Sequence, residues 1–491
     1  MKLPRWIATA AILGLTLPSL PAVADDQAEL IKQLLQRIDS LEKKVDALEH
    51  SPGTAGTATN GAVATVPAER FTQLEQQVKA LGRENELANE AAAEKARTAP
   101  VVDFGPNGFQ FRSAETNFVL KIKGQVQLDS RWYFNDLAAN HNDSFVLRRA
   151  RLIAEGTIFH DFDYQFVPEF AGSAPTILDA NVGYRYDNWL QLKAGKFKSP
   201  VGLEQLQNDA QLFFIERALP SQLTPNRDLG VQLSGDLFDG RLSYAAGVFN
   251  GVGDGRNGGN ADVDGEQEFA GRLFAQPFVN TSKTWLQGLG FGLGASAGHE
   301  TGADLTPNGL GFTTDGQQKW FSYRSSVIAN GEHWRLSPQA YYYTGPFGLL
   351  AEYVISDQQL RAGTNSATYA SGDVENTSWQ VAGSYVLTGE NASYKGVTPR
   401  HNLNFSDGTW GALELVARYA ELGVDGDAFP TFADPTANPR RAHSYSVGVN
   451  YYPNRIFRAS IQYTLTDFDG GSGTGNKHSE NALLTRFQIA F

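Results

Sequence analysis

The chain has 491 residues, contains no cysteine and carries a formal net charge of −12 at pH 7. Its length suits two or three ordinary domains or one large barrel. The lack of cysteine excludes disulfides, thiol catalysis and thiolate metal sites, and the negative charge argues against a nucleic-acid partner. The 50 glycines and the aromatic content of 11% favour β-structure with many turns.

The N-terminus has the pattern of a secretory signal peptide. Two basic residues precede an apolar run from Trp6 to Leu17, and small residues at 22–24 provide a cleavage site. The run is too short to span a bilayer, so we expect residues 1–24 to be removed. No later stretch contains 18 consecutive apolar residues, so a membrane-integral fold would have to be a β-barrel.

Residues 25–98 form the next predicted unit, a coiled-coil and linker region expected to promote self-association. Apolar residues recur there at alternating intervals of three and four, first from Ile31 to Leu48 and again from Phe71 to Ala88. A Gly/Thr/Ala-rich linker from Pro52 to Pro67 separates the two blocks. The pattern leaves open a coil of two or three chains, and also a single amphipathic helix on the periplasmic side.

From Phe118 onward, apolar residues recur at every second position, which is the period of a β-strand. Apolar side chains on one parity oppose polar ones on the other, as in Leu413–Tyr419 and Phe457–Leu465. A soluble barrel of this size would need an apolar interior, so the polar parity predicts water inside and lipid outside. We predict that residues 103–491 form an all-β transmembrane barrel of about 16 antiparallel strands. The other even number compatible with 17 candidate segments is 18.

Two predicted strands direct charged residues into the lumen. In the strand near residue 150, Val146 is expected to face lipid while Arg149 and Arg151 face inward. In the strand near residue 180, Leu178 is expected to face lipid and Asp179 to face inward.

The last strand, Ala482 to Phe491, ends the chain on an aromatic residue, as in outer-membrane barrels. We expect it to pair with the first strand and so remove the open edge. Short turns such as His160-Asp161 contrast with long Gly/Asn/Asp-rich segments such as Asn250 to Glu266 and Asn365 to Glu375. This alternation predicts short periplasmic turns and long extracellular loops.

The connection from Lys198 to Asp228 differs from the other loops because it is rich in large apolar side chains. These are Leu203, Leu206, Leu212, Phe213, Phe214, Ile215, Leu219 and Leu223. So many large apolar side chains would be unfavourable in a loop exposed to water. We therefore predict that this connection folds into the barrel, packs against the wall and narrows the lumen.

Four motifs stand out in and around this connection. They are Val146-Leu-Arg-Arg-Ala-Arg-Leu152, Ala194-Gly-Lys-Phe-Lys-Ser-Pro-Val-Gly-Leu-Glu204, Phe214-Ile-Glu-Arg217 and Asn226-Arg-Asp-Leu-Gly-Val231. Together they resemble the phosphate/polyphosphate-selective porin (porin O and P) family, over residues 103–491. The resemblance implies a sixteen-stranded, trimeric, anion-selective outer-membrane channel whose third extracellular loop folds into the pore.

An anion in such a pore needs positive charge and donors, which Arg supplies as a planar fork and Lys as a point charge. Several moderate sites in a row suit conduction, since one tight site would trap the ion. The candidate pore-lining contacts are Lys121, Lys123, Arg148, Arg149, Arg151, Asp179, Lys196, Lys198, Arg217 and Arg227. The competing interpretation is that the cations are solvated and paired with carboxylates such as Glu155, Glu169 and Asp179.

The phosphate-specific members of the family carry a ladder of alternating arginines, whereas this chain has only the cluster Arg148-Arg149-Arg151. Orthophosphate specificity and broader anion passage therefore both remain open. We predict passive uptake of anions such as phosphate or polyphosphate by a homotrimer embedded in outer-membrane lipid, with its coiled coil in the periplasm. The alternatives are a weakly selective general porin and a plugged barrel acting as a tether or binding protein.

Other motifs do not support catalysis or a cofactor. Asn260 begins a stretch resembling a calcium loop, but Gly271 stands where a bidentate Glu is required. Gly288–Gly294 alternates Gly with Leu and Phe, which fits a lumen-facing glycine stripe or a packed strand but not a phosphate cradle. The eight histidines show no paired metal spacing. We predict no catalytic residue, no metal site and no cofactor.

Overall fold

The computed structural model describes Lys43 and residues 68–106, 108–134, 143–303, 311–363 and 369–491. The predicted signal peptide and, Lys43 apart, the first heptad block lie outside these residues. Within the described part of the chain, no helix combines the length and apolar character needed to cross a bilayer.

Helix α1 (Ala68–Thr98) covers the second predicted heptad block. It is rich in Ala, Glu, Leu and Gln, which are strong helix formers. It ends just before Pro100, because the residue that precedes a proline disfavours helical backbone. Leu81 and Leu87 are 59% and 52% exposed on its surface. The pairing of this helix in a coiled coil stays a prediction.

Strands make up most of the rest of the described chain. In order they are β1 (Val101–Gly105), β2 (Gly108–Arg112), β3 (Phe118–Tyr133), β4 (Ser144–Ile158), β5 (Phe162–Glu169), β6 (Thr176–Asp187), β7 (Leu190–Lys198), β8 (Arg227–Leu237), β9 (Leu242–Phe249), β10 (Glu268–Ala275), β11 (Leu289–Gly302), β12 (Phe312–Thr313), β13 (Lys319–Phe321), β14 (Val327–Thr344), β15 (Phe347–Ala362), β16 (Ala370–Val386), β17 (Ala412–Gly423), β18 (Pro439–Tyr452), β19 (Phe457–Ser472), β20 (Gly475–Asn476) and β21 (Glu480–Ala490). The connections contain the short helices α2 (Leu203–Leu206) and α3 (Thr284–Gln287), and 3-10 turns at Leu219–Gln222 and Gly426–Ala428.

Sixteen of these strands, namely β3–β11, β14–β19 and β21, form one closed antiparallel barrel. Each strand pairs with the next along the chain, and β21 returns to β3 with Phe487 opposite Leu128. The N–H groups of Gly124 and Phe491 each donate to the other residue's carbonyl oxygen at 3.0 Å. The prediction that the last strand pairs with the first is therefore confirmed, and of the two strand numbers 16 is correct.

The hairpin of β1 and β2 covers the part of the β3 edge that β21 does not reach. Phe109 of β2 lies opposite Ile122, whereas the contact with β21 ends where Ala490 lies opposite Gln125. The rings of Phe109 and Phe491 meet edge to face, with centroids 5.9 Å apart. The seam of the barrel is thus closed by both ends of the described chain, which leaves less unpaired edge.

The two faces of the barrel strands differ as an outer-membrane barrel requires. In β3, Gln125 and Gln127 are buried toward the lumen, whereas Val126 and Leu128 are exposed on the outside. The same separation recurs on β15, where Tyr353 is exposed outside. A polar interior and an apolar exterior follow directly from the two-residue period.

Two predicted face assignments are wrong because β-bulges shift the register. Arg148 is the extra residue where Gln127 pairs with Arg149 and Leu128 pairs with Leu147. Residues directly opposite each other share a face, so Val146, which lies opposite the inward-facing Asp129, points into the lumen.

Leu178 is the extra residue of the second bulge, where Val167 pairs with Asp179 and Pro168 pairs with Ile177. Leu178 is therefore buried, and Ile177 occupies the exposed position that the sequence pattern predicted for Leu178. A bulge places two residues opposite one and so reverses the parity on one side of it.

The connections lie at two ends of the barrel, which we name the loop end (where β3 joins β4) and the turn end (where β4 joins β5). The predicted long segment Asn365–Glu375 is mostly strand, since β16 begins at Ala370. At the turn end, the connection between β16 and β17 runs from 387 to 411, so the expectation of short turns throughout that end is wrong.

Candidate functional site

The connection between β7 and β8, residues 199–226, lies inside the barrel, and we call it the constriction segment. Its apolar side chains are buried, with Leu203 and Leu223 fully inaccessible. At its start, the N–H groups of Leu203 and Glu204 donate to the Glu352 carboxylate on β15, at 2.6 and 3.3 Å. The segment thus crosses from β7 to the opposite wall.

Wall side chains also hold the middle of the constriction segment. The N–H of Ile215 donates to Gln462 on β19 at 3.0 Å. The Arg458 guanidinium donates to the carbonyl oxygens of Leu212 and Phe213, at 2.7 and 3.2 Å. Backbone groups in a lumen have no neighbouring strand to pair with, so these polar side chains take the place of one.

Two further connections pack against the constriction segment. From the loop end, the hairpin of β12 and β13 buries Trp320 in one apolar cluster with Leu219 and Leu223. From the turn end, Tyr394 of the 387–411 connection donates its hydroxyl to the Leu203 carbonyl oxygen at 2.6 Å. Gln207 donates its side-chain amide to the Tyr394 carbonyl oxygen at 2.8 Å. The lumen is therefore narrowed from both ends.

The β-bulge in β4 turns two consecutive arginines into the lumen, toward the constriction segment. Arg148 forms a bidentate pair with Glu216, with nitrogen–oxygen distances of 2.6 and 3.0 Å. Arg149 donates to the Gln127 side-chain oxygen at 2.6 Å and lies 3.4 Å from the Asp209 carboxylate. A regular strand would have directed one of these arginines at lipid.

Four more arginines extend this group. Arg151 pairs with Glu169 at 2.7 Å and also with Asp209, and Arg217 pairs with Asp209. Arg486 of the last strand lies 3.3 Å from Glu216. We call the set the arginine cluster, and its six arginines and four carboxylates are Arg131, Arg148, Arg149, Arg151, Arg217, Arg486, Asp129, Glu169, Asp209 and Glu216.

Two of the three acidic residues in the constriction segment, Asp209 and Glu216, stay ionised because of this cluster. Burial alone would raise the pKa of Asp209, but the surrounding arginines, Arg149 first among them, hold it well below its usual range. Burial would also raise the pKa of Glu216, and Arg148 makes the largest contribution to lowering it far below normal. Both carboxylates therefore hold the segment to the wall by charge.

Four lysines on the same side of the barrel have no carboxylate within 4.0 Å among the described residues. Lys198 donates to the Gln207 carbonyl oxygen at 2.8 Å, Lys196 lies 3.3 Å from the Asn260 side-chain oxygen, and Lys193 lies 5.4 Å from the centroid of the Phe197 ring. The set is Lys121, Lys193, Lys196 and Lys198. By contrast, Lys123 pairs with Glu155 at 2.5 Å.

A cavity of about 300 Å³ lies beneath the constriction segment at the turn end. It reaches the segment at Asn208 and Gln211, and the charged residues of its lining are all basic. These residues are Lys123, Lys395, Arg455 and Arg458.

The ten predicted contacts fall into three groups. Arg148, Arg149, Arg151 and Arg217 meet in the arginine cluster. Arg227 and Asp179 form a buried pair at 3.0 Å beside Lys198 and near Lys196. Lys121 and Lys123 lie on β3 apart from both groups. Lys123, Arg151 and Arg227 each pair with a carboxylate that the competing interpretation named, and Arg148, Arg149 and Arg217 pair with carboxylates of the constriction segment. A role of these residues in anion passage stays a prediction.

Sequence reasoning missed the loop carboxylates Asp209 and Glu216 and the wall residue Arg486 as members of this site. Arg486 lies on the polar parity of the last strand, so the alternation contained a signal for it. Asp209 and Glu216 lie in a segment without a period, where no pattern indicates which carboxylate will face which cation.

A second charged group lies on the opposite wall, and we call it the sealed network. The Arg335 guanidinium on β14 contacts Asp254 at 2.7 Å and Glu268 at 2.5 Å, while His333 lies 2.8 Å from Glu300. The Arg335 side chain is fully inaccessible. Asp254 belongs to the connection between β9 and β10; burial would raise its pKa, but Arg335 and His333 lower it.

The model of the family described as phosphate-selective porin O and P matches residues 120–491. The chain belongs to this family. It is accordingly an outer-membrane porin, whose family forms channels rather than enzymes. No curated protein matches this porin.

Solved structures with similarity to this porin include three outer-membrane proteins. The channel DcaP of Acinetobacter baumannii has 13% identity and a TM-score of 0.47, covering 78% of this chain and 99% of its own. The anion-selective porin from Comamonas acidovorans has 13% identity and a TM-score of 0.46, covering 76% and 99%. The trimer form of OmpT from Vibrio cholerae has 12% identity and a TM-score of 0.46, covering 76% and 99%. At these values the similarities decide nothing about what this porin conducts.

Proposed function

We propose that this porin is a passive channel for anions, with phosphate or polyphosphate as substrates, and that its selectivity arises at the constriction segment. The observation that carries the proposal is the surplus of positive charge there. Six arginines face four carboxylates in the arginine cluster, and three lysines on β7, namely Lys193, Lys196 and Lys198, lack a carboxylate partner within 4.0 Å among the described residues.

The two kinds of cation have different roles in this proposal. The arginines are engaged in bidentate or multiple contacts, so they hold the constriction segment in place. In this proposal the lysines act on a passing ion as separate point charges. Several such charges in a row would favour an anion at each step without trapping it.

Reversal potentials in planar bilayers test the proposal. Lys196→Gln and Lys121→Gln are each expected to lower the anion-over-cation permeability ratio about two- to fivefold, because one charge beside a watery path contributes up to about 1 kcal/mol. Arg441→Gln is the matched control, since Arg441 is half exposed and interacts with Glu421 on the outside of the barrel. Cation selectivity in the wild-type channel would contradict the proposal.

Arg149→Gln and Arg217→Gln are also expected to lower anion selectivity, but with a second effect. Each removal leaves Asp209 with one partner fewer, which should loosen the constriction segment and change the conductance itself. The lysine variants, which leave the arginine cluster intact, are therefore the cleaner test of selectivity.

A plugged barrel that acts as a tether is the second candidate function, because connections from both ends enter the lumen. The two candidates differ in one measurement: a tether shows no unitary conductance in a bilayer. A phosphate or chloride current through single channels would eliminate the plugged barrel.

We also propose that the channel is a homotrimer with residues 25–98 in the periplasm as an accessory region. Deletion of residues 25–95 is expected to leave the unitary conductance unchanged, because the barrel closes without them. Loss of conductance in that variant would contradict the accessory role. Cross-linking of the detergent-solubilised porin should give a three-chain product.

A further inference from the structure

The glycine stripe on β11 leaves space on the inner wall that groups from neighbouring elements fill. The inward-facing residues Gly290, Gly292 and Gly294 have no side chains, so groups from β10 and β14 meet across the strand. Phe274 lies opposite Gly292, and Gly290 lies opposite Tyr341. A methyl group at position 290 would lie 2.6 Å from Phe274 and 2.8 Å from Tyr341, which no side chain could tolerate without a shift.

Three aromatic rings form a row over this stripe. The Phe274 and Tyr341 centroids lie 4.9 Å apart, which is within the usual range for aromatic pairs. Tyr394, from the turn-end connection, stacks on Tyr341 with centroids 5.3 Å apart and an interplanar angle of 25°. Tyr341 and Tyr394 are only partly buried, so the row of rings is not sealed from the lumen.

Arg272 lies at the end of this row and is different from the other arginines in the lumen. Its guanidinium stacks on Phe274 at 4.3 Å from the ring centroid, and its Nε donates to the Gln339 side-chain oxygen at 2.9 Å. Its two terminal nitrogens have no hydrogen-bond partner within the described chain, and no described carboxylate lies within 4.0 Å of them. Arg148 binds Glu216 through Nε and Nη2, whereas in Arg272 the Nε is engaged by Gln339 and the pair of terminal nitrogens, Nη1 and Nη2, is the one that a ligand can reach.

We propose that Arg272, Tyr341 and Tyr394 form a subsite for planar aromatic carboxylates. The carboxylate would accept two hydrogen bonds from the Arg272 fork, as carboxylates do in bidentate pairs. The ring of the ligand would lie against the tyrosines, which offer flat apolar surface. The subsite rests on the proposed channel only in that the ligand must reach the lumen.

Binding to the purified porin in detergent micelles tests the subsite without any current. Benzoate, cyclohexanecarboxylate and acetate are compared by isothermal titration calorimetry. Benzoate is expected to bind about three- to tenfold more tightly than cyclohexanecarboxylate, from the aromatic contact, and acetate to bind most weakly. Equal affinities for the three acids would overturn the proposal.

Single substitutions separate the contribution of the Arg272 charge to benzoate binding from that of the aromatic rings. Arg272→Gln is expected to weaken benzoate binding at least about tenfold, because a charged hydrogen bond is lost. Tyr394→Leu should abolish the preference for benzoate over cyclohexanecarboxylate, whereas Tyr394→Phe, which keeps the ring and loses only the bond to Leu203, should retain it. Arg185→Gln is the matched control, since Arg185 pairs with Asp163 on β5. Unchanged benzoate binding in Arg272→Gln, or equal weakening in Arg185→Gln, would overturn the proposal.

Failure of the subsite and failure of the anion channel have different signatures. Benzoate binding that depends on Arg272, in a barrel whose current is cation-selective, would support the subsite and refute the channel proposal. Anion-selective current in a porin that shows no preference for benzoate would support the channel proposal and refute the subsite.

Discussion

The arginine cluster and the sealed network both join a connection to the barrel wall through arginine–carboxylate pairs, but they differ in charge balance and in exposure to water. In both, a connection supplies carboxylates that bind arginines on the wall: Asp209 and Glu216 in one, Asp254 in the other. In the sealed network, carboxylates outnumber cations around Arg335 and the site is closed to water. In the cluster, arginines outnumber carboxylates, and the Arg148 side chain remains 31% exposed. If the proposed function is correct, an excess of arginine over carboxylate distinguishes the conducting side from the sealed network.

The largest effect is expected from breaking the sealed network. Arg335→Gln would leave Asp254, Glu268 and Glu300 buried without their cation, so the free energy of unfolding should fall by about 3–5 kcal/mol. Denaturant titration of the refolded barrel in detergent measures this loss. A loss below about 1 kcal/mol would mean that the network does not support the fold.

A smaller effect is expected from the corresponding change in the arginine cluster. Asp209→Asn removes one carboxylate from a cluster in which arginines already outnumber carboxylates. The free energy of unfolding should therefore fall by about 1–3 kcal/mol, while anion selectivity should rise. Denaturant titration and reversal potentials on the same variant measure the two quantities. Lower anion selectivity would contradict our assignment of the surplus charge.

The pH dependence of the constriction follows from the same carboxylates. The pKa values of Asp209 and Glu216 are lowered by folding, so the stability they contribute is fully present above about pH 4, the usual range of unfolded carboxyls. It is lost only as the pH falls through their lower folded values. Single-channel conductance is expected to stay constant from pH 7 to about pH 4 and to change only in stronger acid. A change near neutral pH would show that other groups control the constriction.

The smallest effect is expected from an arginine that is neither sealed nor part of the cluster. Arg185 pairs with Asp163 at 2.8 Å, and both side chains are nearly half exposed. Exposed pairs contribute about 0–1 kcal/mol, so Arg185→Gln should change the free energy of unfolding by less than about 1 kcal/mol. This variant sets the lower end of the scale on which the two buried groups are compared.

The periodic parts of this fold could be predicted from the sequence, because the requirement for lipid outside and water inside acts on every second residue. The closing strand at Phe491, a barrel of 16 or 18 strands and the lumenal position of Arg149 and Arg151 all follow from that requirement. The inward fold of the constriction segment follows from apolar side chains such as Phe214, which an exposed loop could not shield from water.

The rest depends on features that have no period. The bulge at Arg148 cannot be recognised from the two-residue alternation of apolar and polar side chains. One inserted residue exchanges the inward and outward positions of the strand on one side of it without changing the composition of the strand. The pairing of Glu216 with Arg148 joins positions 68 residues apart in the chain, which only the closed barrel brings together. The glycine stripe is visible in the sequence, but nothing in its pattern indicates that Phe274 and Tyr341 meet over it.

The shared edge of β3 has a consequence for how the polypeptide can be trimmed and assembled. A truncation ending before Val101 keeps every backbone partner of that strand, since β2 and β21 divide its length between them. A truncation that extends past Arg112 would remove the strand that pairs with Val119 to Ile122. Their backbone groups would then be unpaired and open to pairing with strands of other chains. One edge of β3 is thus paired with two separate strands, one that comes just before it in the chain and one that ends the barrel.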